Sequence, residues 1–360
     1  MEPGMKEGRD TVKTMSKKYR KLRKKEKGRV LDHLVDEHGY NRQYASRMLK
    51  RPVDDQGGKE RRGSKQQYQV IYGALKQIWQ WFDYICSARL VAVMEEAVGR
   101  LKACGELHLD EAAEKKLASM SPRTMDRLLA KDRKALSLRS KARTRPGTLL
   151  KHLVPVKTYS EWKDAKPGFL QVDCVGHDGG NARGQFNQTL NATDVATTWT
   201  ETRAVKNKAQ TWVVGALEEI LDDFPFPILG IHSDSGGEFI NAPLVKLCDD
   251  RDLAFTRSRP GRKNDNAYVE QKNWSIVRRA VGYGRHEDDE DLLNELYRVL
   301  RLYTNFFMPT MKCVARTRRG SRTTRHYDRP QTPYQRVVAS PWVAAAKKAR
   351  LHTIYATLNP

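Results

Sequence analysis

Cysteines and long apolar runs are both scarce in this 360-residue sequence. The five cysteines lie far apart and include no CxxC pair, so we predict neither a disulfide framework nor a cysteine-based zinc site. No stretch of about 18 apolar residues occurs and the N-terminus is charged, which argues against a membrane helix or a secretion signal. We therefore expect a soluble, intracellular protein with reduced thiols and no membrane partner.

Basic residues far outnumber acidic ones, so the protein is strongly basic. Lysine and arginine total 66 against 43 aspartates and glutamates, which leaves a formal charge of +23 at pH 7. Such an excess favours a polyanionic partner, because each phosphate that a basic side chain neutralises releases a condensed counterion. The charge therefore predicts nucleic acid as the partner and says nothing about chemistry.

The pattern along the chain predicts several segments, in keeping with two or three domains of roughly 100–200 residues each. An all-α N-terminal part precedes an α/β part. The segments are a basic arm with a first helix-turn-helix (1–66), a second helical DNA-binding module (67–135), a basic linker (136–156), an α/β core (157–310) and a basic tail (311–360).

The first helix-turn-helix rests on apolar residues at helical spacing, then Gly39 at a C-cap position and a basic helix over about residues 42–50. Arg42 and Arg47 are expected on its outer face. Many helical hairpins share this pattern, so it favours a DNA-reading module without excluding a plain hairpin.

The second module offers a better recognition helix. Ser121 is a good N-cap and Pro122 suits the first helical position, while Met125 faces inward. The outward residues available to DNA are Arg123, Arg127 and Lys131.

The pattern over residues 157–310 predicts, in order, three strands, a helix, a strand, a helix, a strand and a helix. This order indicates an α/β domain with a mixed sheet and not a doubly wound one. Asp173 lies in a buried strand, Asp234 ends another, and Glu270 lies on the last helix. Other carboxylates in this region are interpreted as structural: Asp178 in a turn, Asp194 in a strand pair, Glu238 at a helix start and Asp265 as an N-cap.

Three separate carboxylates suit the chemistry of a phosphodiester. Its hydrolysis or transesterification needs an in-line oxygen nucleophile and a stabilised leaving oxygen, and two Mg²⁺ ions about 3.5–4 Å apart can supply both effects. Mg²⁺ prefers hard oxygen ligands, so carboxylates are required and thiols are not.

The acids and their surroundings resemble a known family. Asp173 in PGFLQVDCVGH, Asp234 in HSDSGGEF and Glu270 in GRKNDNAYVEQKN resemble the D, D and E of the retroviral-integrase superfamily, with 35 residues (235–269) between the last two. Over about residues 160–310 the chain is similar to bacterial insertion-sequence DDE transposases with an integrase core domain. The resemblance implies an RNase H-like catalytic domain, a mixed five-stranded sheet with helices, preceded by the helix-turn-helix modules.

The resemblance also implies an activity. Asp173 would bridge two Mg²⁺ (or Mn²⁺) ions, Asp234 would hold one and Glu270 the other. Water would free a 3′-OH at the transposon end, and that hydroxyl would attack target DNA without a covalent protein–DNA intermediate. The partners would be double-stranded DNA, at transposon ends and at the target, and further copies of the chain in a dimer or larger complex, in the bacterial cytoplasm at the nucleoid.

Further residues are assigned near the acids. Lys263 and Lys272 resemble basic residues that approach DNA beside the glutamate. Asn266 and Asn273 are expected to hydrogen-bond phosphate or to orient the acids. His177 and His232 are expected to support the site or to transfer protons.

Two questions stay open at the level of sequence. Residues 311–329 are basic with almost no apolar content, which is typical of a disordered linker or of a segment that contacts the DNA backbone. The whole protein is predicted to be an active DDE transposase; the alternative is a domesticated or inactive transposase that acts as a DNA-binding regulator.

Overall fold

The computed structural model describes residues 15, 18–19, 21–38, 41–50, 64–135, 166–234, 236–259 and 263–360. The predicted linker at 136–156 and the predicted C-cap Gly39 lie outside these ranges. By its packing, the chain divides into two units, Met1–Val70 and Ile71–Pro360. Each unit is described by itself.

The first unit contains two described helices that share a small apolar core. They are α1 (Lys24–His38) and α2 (Arg42–Lys50), and the bounds of α2 are those predicted. The core residues are Tyr19, Leu34, Ala45 and Leu49. Arg42 and Arg47 are exposed, and Arg42 forms an ion pair with Asp32. The helix-turn-helix module and its DNA-reading role stay predictions.

The second unit begins with short helices where the sequence predicted one helical block. They are α3 (Ser64–Trp81, which starts before the unit boundary), α4 (Ser87–Ala103), α5 (Glu111–Ala118), α6 (Pro122–Leu128) and α7 (Ala130–Ala135). Trp79, Leu90, Met94 and Met125 are buried among them. Ser121 accepts a hydrogen bond from the Thr124 amide at 3.2 Å, as expected of an N-cap.

Within the described residues, five strands form a mixed sheet in the order β3-β2-β1-β4-β5. The strands are β1 (Phe169–Gly176), β2 (Gln188–Asp194), β3 (Thr200–Val205), β4 (Gly230–Ser233) and β5 (Ala254–Arg257). The first three pair antiparallel, whereas β4 runs parallel to both β1 and β5. Helices α8 (Gln210–Asp223) and α9 (Ala242–Asp250) connect the later strands. The predicted mixed α/β class and its order of elements are confirmed.

A composite helix follows the sheet. It consists of a 3₁₀ turn (Lys263–Asn266), α10 (Ala267–Lys272), a π-helical turn (Asn273–Arg278) and α11 (Arg279–Val281). Its first part packs on β1 and β2. This packing positions the helix that carries Glu270.

Helix α12 (Glu290–Phe306) covers strand β3. The Asn305 side chain accepts a hydrogen bond from the Thr200 amide and donates one to the Thr200 carbonyl, each at 2.9 Å. Asn294 pairs with the backbone of Ala204 in the same way, at 2.8 and 3.3 Å. These amides replace a neighbouring strand, so the edge does not present an unpaired backbone ladder there.

The C-terminal segment is folded. A hairpin of β6 (Cys313–Arg319) and β7 (Arg322–Tyr327) is followed by α13 (Pro333–Ala339) and α14 (Ala345–Thr357). Arg100 of α4 donates hydrogen bonds to the carbonyls of Tyr355 and Leu358 at 2.8 and 2.9 Å, and its guanidinium lies 4.0 Å from the centre of the Tyr355 ring. The tail therefore packs against the helical module. Its basic composition did not predict this contact.

None of the helices in the described ranges is both long enough and apolar enough to cross a bilayer.

A buried ion pair joins α12 to β3 and supplies a test of the fold. Arg301 Nε contacts both oxygens of Glu201, which is fully buried, at 2.7 and 2.6 Å. Arg301→Met is expected to lower the free energy of unfolding at pH 8 by about 3–5 kcal/mol, because it leaves a buried carboxylate unpaired. Urea denaturation measures the loss.

The matched control is Arg251→Met, which breaks the exposed ion pair with Asp222 and should cost less than about 1 kcal/mol. Burial raises the pKa of Glu201 to about 7. Because this folded-state pKa lies above the unfolded value, Glu201 favours folding below about pH 4 and this contribution is lost as pH rises through about 7. The free energy of unfolding that Arg301→Met loses relative to wild type should therefore be smaller at pH 5 than at pH 8. Equal stability of the two variants at pH 8 would contradict the account.

Candidate active site

Strand register places two of the three acids side by side. Val172 of β1 pairs with Ser233 of the parallel strand β4. Asp173 and Asp234 are the next residues on the two strands. Adjacent strands lie about 4.8 Å apart, so the two aspartates begin from neighbouring backbone positions at the same end of β4.

Asp173 is partly buried and receives hydrogen bonds on both oxygens. The Cys174 amide donates to Oδ1 at 2.9 Å and Asn273 Nδ2 donates to Oδ2 at 2.6 Å. The pKa of Asp173 is raised to about 7, chiefly by burial and also by the charges of Asp234 and Glu270, while the two hydrogen bonds oppose the rise. The carboxylates of all three acids thus act on one another.

Glu270 is exposed on α10, and the side chain of Gln171 holds that helix to β1. Gln171 is fully buried. Its Oε1 accepts hydrogen bonds from the amides of Tyr268 and Val269 at 2.9 and 3.4 Å, and its Nε2 donates to the Asp265 carbonyl at 3.0 Å. We refer to these three bonds as the Gln171 clamp. The clamp supplies acceptors for the free amides at the start of the helix.

Gln171 was not predicted from the sequence, and the predicted capping role of Asp265 was wrong. Asp265 is fully buried and forms a two-point ion pair with Arg259, at 2.7 and 2.8 Å. A signal for Gln171 was present: it is a lone amide in the apolar strand FLQVDCV, two residues before Asp173 and therefore on the same strand face.

The π-helical turn brings Asn273 to the same site. Its amide nitrogen donates to Asp173, and its Oδ1 accepts from Asn191 Nδ2 on β2 at 3.0 Å. Arg278, at the end of the turn, donates to the Gly176 carbonyl at 2.8 Å. Such turns occur often at functional sites. Asn273 contacts an acid and thus has the contact expected of an orienting residue.

The turn after Asp234 depends on Gly236. The Gly236 amide donates to Asp234 Oδ1 at 2.8 Å. A Cβ at this position would lie 2.6 Å from Glu238 Oε2 and 2.9 Å from Asp234 Oδ1, so a larger residue would displace both carboxylates. Glu238 also accepts a hydrogen bond from Lys208 Nζ at 3.0 Å. Lys208 therefore neutralises this nearby fourth acid.

The donor chemistry of the site fits hard divalent cations. Asp173, Asp234 and Glu270 offer carboxylate oxygens. A bound cation would reduce the repulsion between their negative charges. In the described part of the chain, no three Asp, Glu, His or Cys side chains already converge on a single metal position. The acids are neighbours, and binding of a metal would require their side chains to turn toward it.

The two predicted histidines lie inside the protein. His177 is fully buried, its Nε2 is 2.7 Å from Thr189 Oγ1, and burial lowers its pKa to about 4. His232 is fully buried in β4, with Nδ1 2.9 Å from Thr256 Oγ1. These positions do not support the predicted proton transfer, because His177 is neutral at physiological pH and both rings are enclosed.

The structure also corrects two of the predicted DNA contacts. Lys272 is only 5% exposed, and burial together with the charges of Arg89 and Arg336 lowers its pKa to about 7. Asn266 is buried and donates to the Val172 carbonyl at 3.3 Å. Both side chains face the interior, because the helix faces that carry them pack against the sheet and the helical module. Neither side chain lies on the exposed surface of the protein.

The remaining predicted DNA contacts have mixed outcomes. Arg123, Arg127 and Lys131 are exposed on α6 and α7, as expected. The side chain of Lys263 lies outside the described residues. The exposed residues stay candidates for contact with DNA.

Comparison with known proteins places the chain in a family. No protein-family model matches it. The uncharacterized protein y4rM of Sinorhizobium fredii is 38% identical over 334 residues, which cover 91% of this chain and 94% of that protein. The chain therefore belongs to the same family as y4rM.

Among solved structures, the catalytic core domain of BIV integrase is similar over 52% of this chain and 98% of that chain, with 16% sequence identity and a TM-score of 0.33. The chemistry has to be inferred from this chain's own residues.

Removal of the Gln171 clamp should release α10. Gln171→Leu leaves the Tyr268 and Val269 amides without their acceptor, which should cost about 2–4 kcal/mol of stability and abolish their protection in hydrogen exchange. The matched control is Gln188→Leu, a second buried glutamine of the sheet whose Oε1 has no partner within the described residues. Protected Tyr268 and Val269 amides in Gln171→Leu would refute the clamp.

The repulsion at Asp173 gives a metal-dependent prediction. The folded-state pKa near 7 lies above the unfolded value, so ionisation of Asp173 destabilises the fold as pH rises from about 4 through about 7. In EDTA at pH 8, Asp173→Asn should be more stable than wild type by roughly 1–3 kcal/mol. In saturating Mg²⁺ the order should reverse, because only the wild type gains stability from the ion.

Thermal unfolding with and without Mg²⁺ measures both effects. Asp178→Asn is the control, since the Asp178 carboxylate accepts a hydrogen bond from the Gly180 amide of its own turn, at 3.0 Å. If Mg²⁺ stabilises Asp173→Asn as much as wild type, Asp173 is not a ligand.

Proposed function

We propose that the protein is a DNA transposase that cuts element ends and joins them to target DNA. The observation that carries the proposal is the arrangement of the acids. Asp173 lies on β1, Asp234 directly follows the neighbouring parallel strand β4, and the helix of Glu270 is fastened to the strand of Asp173. Both the 35-residue interval and the strand and helix context of the acids support it.

In this proposal the three acids hold two Mg²⁺ or Mn²⁺ ions. Asp173, Asp234 and Glu270 would supply the carboxylate ligands of these ions. Such an ion pair supplies an activated oxygen nucleophile and a stabilised leaving oxygen. Asn273 and the Cys174 amide fix the rotation of the Asp173 carboxylate. The partly buried position limits competing water.

The basic surface supplies the proposed contacts with double-stranded DNA. The β6–β7 hairpin presents a set of exposed arginines, which are Arg316, Arg318, Arg319 and Arg325. A two-stranded ribbon of this kind can follow a phosphate backbone without reading sequence. The exposed residues of α6 and α7, and Arg42 and Arg47 of α2, are proposed to read the terminal repeats. Paired ends would require two or more copies of the chain, acting in the bacterial cytoplasm.

One observation favours a second candidate function. Within the described residues, the acids do not yet converge on a metal position. A domesticated transposase that binds DNA and regulates without cutting would show the same basic surfaces and the same fold.

A cleavage assay separates the two functions. Full-length protein is incubated with labelled duplex that carries the element end and its flanking DNA, with Mg²⁺, Mn²⁺ or EDTA. Wild type should nick the end and join it to target DNA only with metal. Asp234→Asn should reduce both products more than about 100-fold while DNA binding is retained, because loss even of residues that support a metal ligand costs 10–100-fold.

Asp178→Asn serves as the control and should cleave like wild type. Metal-independent products, or equal activity of Asp234→Asn and wild type, would contradict the two-metal proposal. Wild-type binding without cleavage in either metal would favour the regulator.

A further inference from the structure

A basic cleft lies where the helical module, the glutamate helix and the tail meet. Its volume is about 170 Å³. Arg89 of α4, Lys272 of α10, Arg279 of α11 and Thr310, just before the hairpin, all line it. The cleft is separate from Asp173 and Asp234, neither of which lines it.

Lys272 brings an ammonium group into this cleft with 5% of the residue exposed. No hydrogen bond or ion pair joins it to another residue in the described ranges. A buried cation without a partner is costly, so such groups normally occur with an anion close by.

Arg89 is a second cation at the cleft that lacks hydrogen-bond partners for its side chain among the described residues. Its Nε is buried and has no hydrogen-bond partner among the described residues. Arg336 repeats the feature: its Nη atoms donate to Asp328 at 2.7 Å and to the Thr310 carbonyl at 3.0 Å, whereas its Nε is also buried and unmatched. Thr310, whose carbonyl Arg336 contacts, lines the cleft together with Arg89 and Lys272, so the three cations lie around the same cleft.

The carboxylates near the cleft are already paired with other basic residues. Asp83 accepts hydrogen bonds from Arg279 on its carbonyl and on Oδ1, each at 2.6 Å. Asp328 is paired with Arg336. Lys272 and Arg89 therefore carry charge that no described carboxylate balances.

We propose that this cleft binds a phosphate group, held between Arg89 and Lys272 and within reach of Arg336. A guanidinium and an ammonium are the usual ligands of phosphate oxygens in proteins. Waters in liquid occupy about 30 Å³ each, so the cleft has room for a tetrahedral oxyanion in place of several waters. The group can come from free inorganic phosphate or from a DNA backbone.

A bound phosphate would connect the helical module to the glutamate helix. Arg89 belongs to α4, and Lys272 lies two residues beyond Glu270 on α10. Occupation of the cleft would remove the repulsion between these elements and hold them together. The proposal does not depend on metal chemistry, so it stands or fails separately from the proposed function.

The test measures thermal stability of the full chain in phosphate-free buffer and then with inorganic phosphate, at constant ionic strength. Wild type should gain at least about 2 °C at saturation. Arg89→Gln and Lys272→Met should not respond to phosphate. Without phosphate, Lys272→Met should melt no lower than wild type, because it removes a buried charge. A merely structural lysine would lower the melting temperature equally in both buffers.

Arg350→Gln, which removes one exposed positive charge from α14, should respond to phosphate like wild type. Equilibrium dialysis with labelled phosphate gives the stoichiometry on wild type alone, so the test survives a variant that does not fold. One phosphate per chain is expected. No bound phosphate, or an unchanged phosphate response in both Arg89→Gln and Lys272→Met, would overturn the proposal.

A competition experiment identifies the source of the group. Short duplex DNA is added to the protein with labelled phosphate bound. Displacement of one phosphate per chain supports the proposal with a backbone phosphate as the ligand. Retention of phosphate while duplex is bound supports it with free phosphate as the ligand.

Discussion

A single buried amide, that of Gln171, links the two halves of the candidate active site. Strand β1 carries Asp173, and two residues earlier the same strand face holds the first amides of α10, the helix of Glu270. Because β1 also pairs with β4, the same strand fixes the position of Asp234. The relative placement of three acids that are far apart in sequence thus depends on one strand and its hydrogen bonds.

Helix α10 separates two regions of opposite charge. Its exposed face carries Glu270. The negative charges of Glu270 and Asp234 contribute to the raised pKa of Asp173. Its buried face presents Lys272 toward Arg89 and Arg336. Each region holds like charges in proximity, which destabilises a fold unless a counter-charge arrives. A divalent cation on one face and a phosphate on the other would each supply it, so ligand binding and stability are coupled through the same helix.

Local sequence patterns predicted what depends on local structure. The apolar runs around Asp173 and before Asp234 predicted their strands, and the order of elements predicted a mixed sheet, since strand alternation and helix periodicity are short-range signals. The capping role of Gln171, the burial of Lys272 and the Asp265–Arg259 pair could not be predicted in this way. Each depends on which distant segment packs against the residue. The basic hairpin was missed because its strands have few apolar residues to mark an inner face.

The central claim is that Asp173, Asp234 and Glu270 share a pair of divalent cations. Its most direct test is a crystal structure of the protein with Mn²⁺ and a short duplex, with data collected at the manganese absorption edge. The account predicts two anomalous peaks about 3.5–4 Å apart, with carboxylate oxygens of all three acids about 2–2.3 Å from manganese. Manganese bound at other residues, or none at these acids at a saturating concentration, would contradict it.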